Sequence, residues 1–119
     1  MSEPHTRIVG KEYSPLVIRR INRLGVPVFI ALITDDNLDD LDEFVLSRLE
    51  GKEVKSIQEA RNLTGWLTEE LVKHYKRAEG VAVVMYFDKL MVSSLWGDFM
   101  NHTPCRLELY TLLLMMTNI

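Results

Sequence analysis

One cysteine, Cys105, stands in 119 residues. That excludes an internal disulfide, and a lone thiol beside six methionines suits a reducing compartment. Long apolar runs are missing as well. The longest, 26–33 and 112–116, fall well short of the roughly 20 residues that a membrane helix requires. The opening residues MSEPHTRIVG lack the apolar stretch of a secretory leader, so the cytoplasm is the expected compartment. No glycine-rich phosphate loop and no G-x-S-x-G elbow occurs. Positive charge is not in excess either. A net charge of −3 argues against the chain as a whole being a polyanion binder.

What is present describes one globular domain, 1–119, of mixed α and β character. A chain of this length buries roughly two-thirds of its unfolded surface, enough for a core of its own. Its 47% hydrophobic and 26% charged content argue against disorder. Charge is segregated along the chain. Residues 35–50 hold seven acids and one base, whereas 7–23 hold five bases and one acid. Separated fields of this kind either present a basic face or attract each other as solvated surfaces.

Residues 1–12 read as a loose arm or a short edge strand. Ser14 as cap and Pro15 at the first helical position predict a helix over 15–24, with Val17, Ile21 and Leu24 on one stripe. Residues 26–34 (VPVFIALIT) read as a buried strand, with a helix as the alternative. Carboxylates crowd the start of a predicted helix over 36–50, whose Leu38, Leu41, Val45 and Leu49 share a face. Ser56 and Glu59 form a capping box that opens a short helix to about Leu63. Thr64-Gly65 reads as a break, and a further helix is expected over 68–79. Residues 81–87 (VAVVMYF) read as a strand, Asp88-Lys89 as a turn, and 90–95 as a second strand. Thr103-Pro104 opens a last helix to 119. Eight of the ten residues in 107–116 are apolar, so this helix must be covered on more than one side.

Taken together, residues 36–95 give helix, helix, tight turn, helix, hairpin. This order resembles the winged helix-turn-helix family. Ile57 and Ala60 stand where that family packs its second helix inward, and Gly65 stands in the turn. Leu71, Val72 and Tyr75 match the inward face of the recognition helix, and Glu79-Gly80-Val81 is similar to the family's exit into the wing. Trp66 in the turn, the unbroken apolar run 81–87, and Glu69 and Glu70 at the DNA-facing helix start depart from the pattern. The resemblance implies an α+β fold and duplex-DNA binding as a transcriptional regulator. Base and phosphate contacts would come from Thr68, Lys73, His74, Lys76 and Arg77, with Lys52, Lys55 and Lys89 on phosphates. The alternative for Lys73, Lys76 and Arg77 is a solvated helix C-terminus, where the dipole favours cations. The C-terminal helix would supply a homodimer interface through Leu109, Leu112, Leu113 and Met116.

The remaining candidates are weaker as chemistry. Residues 35–39 (DDNLD) suggest a calcium loop, but its sixth and twelfth positions would be Asp40 and Leu46 rather than glycine and glutamate. His102 and Cys105 lack the second pair that a zinc site needs. No metal, cofactor or catalytic residue is expected. Two other readings stand beside the regulator. One is a non-enzymatic protein-interaction module, with the acidic helix 36–50 or Trp66 and Trp96 as contact. The other is a small α/β ligand-binding or enzyme domain. There, 26–34 and 81–87 would be neighbouring parallel strands, with a site near Asp35, Asp36 and Asp88.

Overall fold

The structure, a computed structural model, describes residues 16–97 together with the short strands β1 (Arg7–Ile8) and β2 (Lys11–Glu12), which pair antiparallel with each other. The C-terminal helix expected over 103–119, its Leu109, Leu112, Leu113 and Met116, and the pair His102 and Cys105 lie outside the described residues.

Four longer strands make one antiparallel sheet in the order β3-β4-β5-β6: β3 Leu16–Ile21, β4 Val28–Ile33, β5 Gly80–Phe87 and β6 Leu90–Gly97. Two helices, α1 Leu41–Leu49 and α2 Ile57–His74, fill the connection between β4 and β5. The fold is therefore α+β, and none of the described helices is long and apolar enough to cross a membrane.

Alternation along the strands divides the core in two. Val28, Ile30 and Leu32 of β4 and Val81, Val83 and Met85 of β5 pack under the helices. They meet Leu41, Phe44, Val45 and Leu49 of α1 and Ala60, Leu63, Leu67 and Leu71 of α2. Phe29, Ala31 and Ile33 with Ala82 and Val84 form a second buried cluster on the other face, which no described helix residue joins. Burial on both faces explains why β4 and β5 read as uninterrupted apolar runs rather than as alternating ones.

Three expected elements differ. The helix expected over 15–24 is not seen in its described part, because 16–21 are β3, paired residue for residue with β4 from Leu16↔Ile33 to Ile21↔Val28. The consecutive Leu16, Val17 and Ile18 suit a pleated strand, and that pairing outweighs the helical spacing of Val17, Ile21 and Leu24. The helix expected from residue 36 begins at Leu41. The preceding residues are held by local bonds instead: the Thr34 hydroxyl accepts the Asp36 N–H (3.0 Å), and Asn37 Oδ1 accepts the Asp39 N–H (2.9 Å).

The third difference bears on function. Thr64-Gly65 is no break, since α2 runs without interruption through it to His74. Ala60, Leu63, Thr64, Leu67, Thr68 and Leu71 form one continuous buried stripe. A glycine inside a helix costs about 1 kcal/mol, whereas burying one leucine contributes roughly 1.5–3 kcal/mol. The stripe therefore carries the helix across Gly65. The second helix expected over 68–79 is the last part of α2, which closes when the Tyr75 N–H donates to the Leu71 carbonyl (2.9 Å). The hairpin 80–97 exists, but β5 is an interior strand paired with both β4 and β6 rather than part of a free wing. Segments 26–34 and 81–87 are neighbours, but antiparallel. Asp35 and Asp36 thus follow one end of β4, and Asp88 lies at the opposite end of the sheet.

Candidate functional site

The acidic loop before α1 holds the far end of α2. Asp40, the N-cap residue of α1, makes no side-chain cap bond to its own helix. Its carboxylate takes the Tyr75 hydroxyl on Oδ1 and His74 Nε2 on Oδ2, each at 2.7 Å. Next to it, Asp36 Oδ2 accepts the Arg77 N–H (3.1 Å), and Asp35 accepts the Arg77 guanidinium (2.9 Å). Phe44 of α1 stacks on His74 with 4.0 Å between ring centroids, and Tyr75 meets His74 edge-on. Arg48 lies over the Phe44 ring and pairs with Glu70 of α2 at 2.9 Å.

This latch polarises its members in opposite directions. The His74 hydrogen bond, with that of Tyr75 second, holds the Asp40 carboxyl below the ordinary carboxylate range. The Tyr75 phenol is pushed well above its ordinary value, first by burial and then by the hydrogen bond and charge of Asp40. Against an ionised Asp40, His74 Nε2 is the donor. An imidazole oriented by a carboxylate is half of a proton relay. Among the described residues, however, no hydroxyl or thiol hydrogen-bonds His74, and both its ring partners are aromatic. No group of three or more metal-ligating side chains occurs among the described residues. The arrangement fastens two elements together.

The basic residues expected at DNA are scattered by the fold. Thr68 is buried at 4% exposure and donates to the Thr64 carbonyl (2.7 Å), so its hydroxyl is engaged within α2 rather than presented to solvent. His74 and Arg77 belong to the latch. Lys52 sits over the Trp66 ring, 4.6 Å from its centroid. Lys55 pairs with Glu53 at 3.2 Å, both side chains exposed, a contact of little energetic weight. Lys89 occupies the β5–β6 turn, at the opposite end of the sheet from the latch that holds His74 and Arg77. Of the set, Lys73 and Lys76 share a surface, where they border a groove between α2 and β6 lined also by Val72, Ala78 and Trp96.

That groove leads to the most exposed apolar surface described. Four large hydrophobic side chains are exposed among the described residues, and three stand on β6: Leu90 at 57%, Met91 at 46% and Trp96 at 42%. The fourth, Leu46, is on α1. Among the described residues, β6 pairs on one side only, with β5. Its register with β5 is continuous from Gly80↔Gly97 to Phe87↔Leu90, so it contains no bulge, and LMVSSLWG contains no charge and no proline. Edge strands of soluble domains are commonly guarded by one of these devices. The other edge, β3, shows such a guard in its exposed Arg19 and Arg20.

Trp96 is the one residue of this surface that sequence reasoning singled out. Leu90 and Met91 were legible only as strand residues, because edge position depends on strand order, which local pattern does not specify. The acidic helix offers less than its composition suggests. Asp35, Asp36 and Asp40 are turned to the latch, leaving Asp42 and Glu43 exposed on α1.

No protein-family model matches the chain, and no curated protein matches it.

Proposed function

We propose that this protein is a non-catalytic protein-interaction module whose working surface is the β6 edge with the adjoining α2–β6 groove. The carrying observation is the concentration of Leu90, Met91 and Trp96 on one strand that, among the described residues, pairs on one side only and carries no charge or proline. An open edge gives main-chain hydrogen bonds to an added strand, and alternate side chains meet the partner on either side. Val72 and Trp96 supply apolar contact, and Lys73 and Lys76 form a polar rim, the usual anatomy of a binding surface.

Panning a library of random displayed peptides against the purified chain tests this. Recovered peptides, titrated into isotopically labelled protein, are expected to shift the amides of 90–96 together with Val72, Lys73 and Lys76. Shifts confined to other surfaces, or no binders at all, would overturn the reading. Duplex DNA is the competing ligand. The unbroken α2 and the buried Thr68 take away the separate recognition helix on which that expectation rested. A mobility shift at low salt that weakens steeply as salt rises would restore it in place of the present proposal.

A further inference from the structure

Resting on that reading, we infer that the partner taken by the β6 edge is a second copy of this chain, joined by antiparallel β6–β6 pairing with Ser93 on the twofold axis.

The geometry follows from the hairpin. Asp88 and Lys89 both have positive φ, 50° and 65°, which makes a two-residue turn of the kind that closes tight hairpins. In such a hairpin the flanking pair, here Phe87↔Leu90, exchanges hydrogen bonds, and bonded and non-bonded pairs alternate from there. Leu90, Val92, Ser94 and Trp96 therefore turn their main-chain groups towards β5. Met91, Ser93 and Leu95 turn theirs to the open edge.

A twofold pairing that keeps the helical layers of both copies on one side must set residues of the same face opposite each other. Centring it on Ser93 does so and uses every outward group. Ser93 meets Ser93 of the second copy, and Met91 meets Leu95 of the second copy in both directions, all as hydrogen-bonded pairs. On the helical side, Leu90 then stands opposite Trp96 of the second copy as a non-bonded pair, the closer kind. All three exposed hydrophobic residues of the strand gain a partner, and the two small serines fall at the centre. Lys89 falls opposite Gly97 of the second copy, which has no side chain to obstruct it. Sliding the register by two residues either way leaves one of the outward-facing three without a counterpart. The bordering flank of α2 carries Glu69 beside Lys73, so two such flanks brought together have charges of both signs to match. By contrast β3, with Arg19 and Arg20, would set like charges against each other.

Because residue 93 meets itself, charge swapping tests the register. Sedimentation of the full chain over a series reaching about 1 mM is expected to show a monomer–dimer equilibrium. Ser93→Lys alone and Ser93→Glu alone should each weaken association roughly tenfold or more. Mixing the two should restore it as a heterodimer. In a Cys105→Ser background, Ser93→Cys should oxidise to a covalent dimer, because bonded partners lie about 5.5 Å apart between Cα atoms, within disulfide range. Ser94→Cys should not, since its own counterpart would be about 8 Å away. A monomer throughout, or a dimer that Ser93→Lys leaves intact, or a mixture that does not re-associate, overturns the inference. If peptides still bind β6 in that case, the interaction module stands and only the second copy falls. If neither peptides nor a dimer is found, both fall.

Discussion

Asp40 sits where a helix expects its cap, yet its carboxylate is committed elsewhere. α1 accordingly starts without the side-chain bond that ordinarily satisfies its first turn. The acids Asp42 and Glu43 favour the same turn through the helix dipole instead. The pH dependence follows from the two opposed shifts. Asp40 has a lowered pKa in the folded chain, so it contributes stability that is fully present above about 4 and lost as pH falls through the folded value. Denaturant titrations at stepped acid pH should show this limb flattened in Asp40→Asn. Tyr75 has a raised pKa, so its contribution is full below about 10 and lost as pH rises towards the folded value. Tyr75→Phe should therefore lose less stability than the parent between neutral and strongly alkaline pH. Gly97 offers a sharper case. Its φ is +77°, and a Cβ there would collide with the Glu79 carbonyl oxygen. Left-handed backbone alone costs a residue with a Cβ about 1–2 kcal/mol, so Gly97→Ala should lower stability in thermal melts by at least that much.

Among the elements, α2 separates local propensity from tertiary demand most clearly. Gly65 has open space where a Cβ would be, and its helix continues on both sides. Gly65→Ala should stabilise the fold by about 0.5–1 kcal/mol, read from chemical denaturation. At a helix-turn-helix bend the same change would destabilise. Much of this architecture was legible in the chain. The Ser56–Glu59 box starts α2, the 26–34 run contains β4, and Asp88-Lys89 turns β5 into β6. Thr64-Gly65 misled because a turn dipeptide speaks only of its own backbone, whereas the stripe from Ala60 to Leu71 spans three turns. Residues 16–21 misled for the converse reason, since their true partner, β4, is recognisable only once the sheet exists. The latch was invisible because Asp40 and Tyr75 are 35 residues apart. The β6 surface was half legible, in Trp96 but not in the openness of its strand.

For the whole molecule, the two edges of the sheet are unequal, one guarded by arginines and one apolar. A chain that associates through the apolar edge should unfold at a temperature that rises with its own concentration, by mass action, as scanning calorimetry at several dilutions would show. The layout has a further consequence, for the route by which the chain folds. β3–β4 and β5–β6 are each ribbons between close neighbours in sequence, but the central seam from Val28↔Met85 to Ile33↔Gly80 joins stretches on either side of a long helical detour. Zipping that seam bears the loop-closure entropy of the whole detour, and Asp36 and Asp40, bonded to Arg77 and Tyr75, gather the two ends of the same detour at its base. Closure of that seam is thus expected to be the slow event, starting at the Ile33↔Gly80 end beside the Asp36–Arg77 contact and reaching Val28↔Met85 last. In stopped-flow traces, Met85→Ala should chiefly hasten unfolding, whereas Asp36→Ala should chiefly slow refolding.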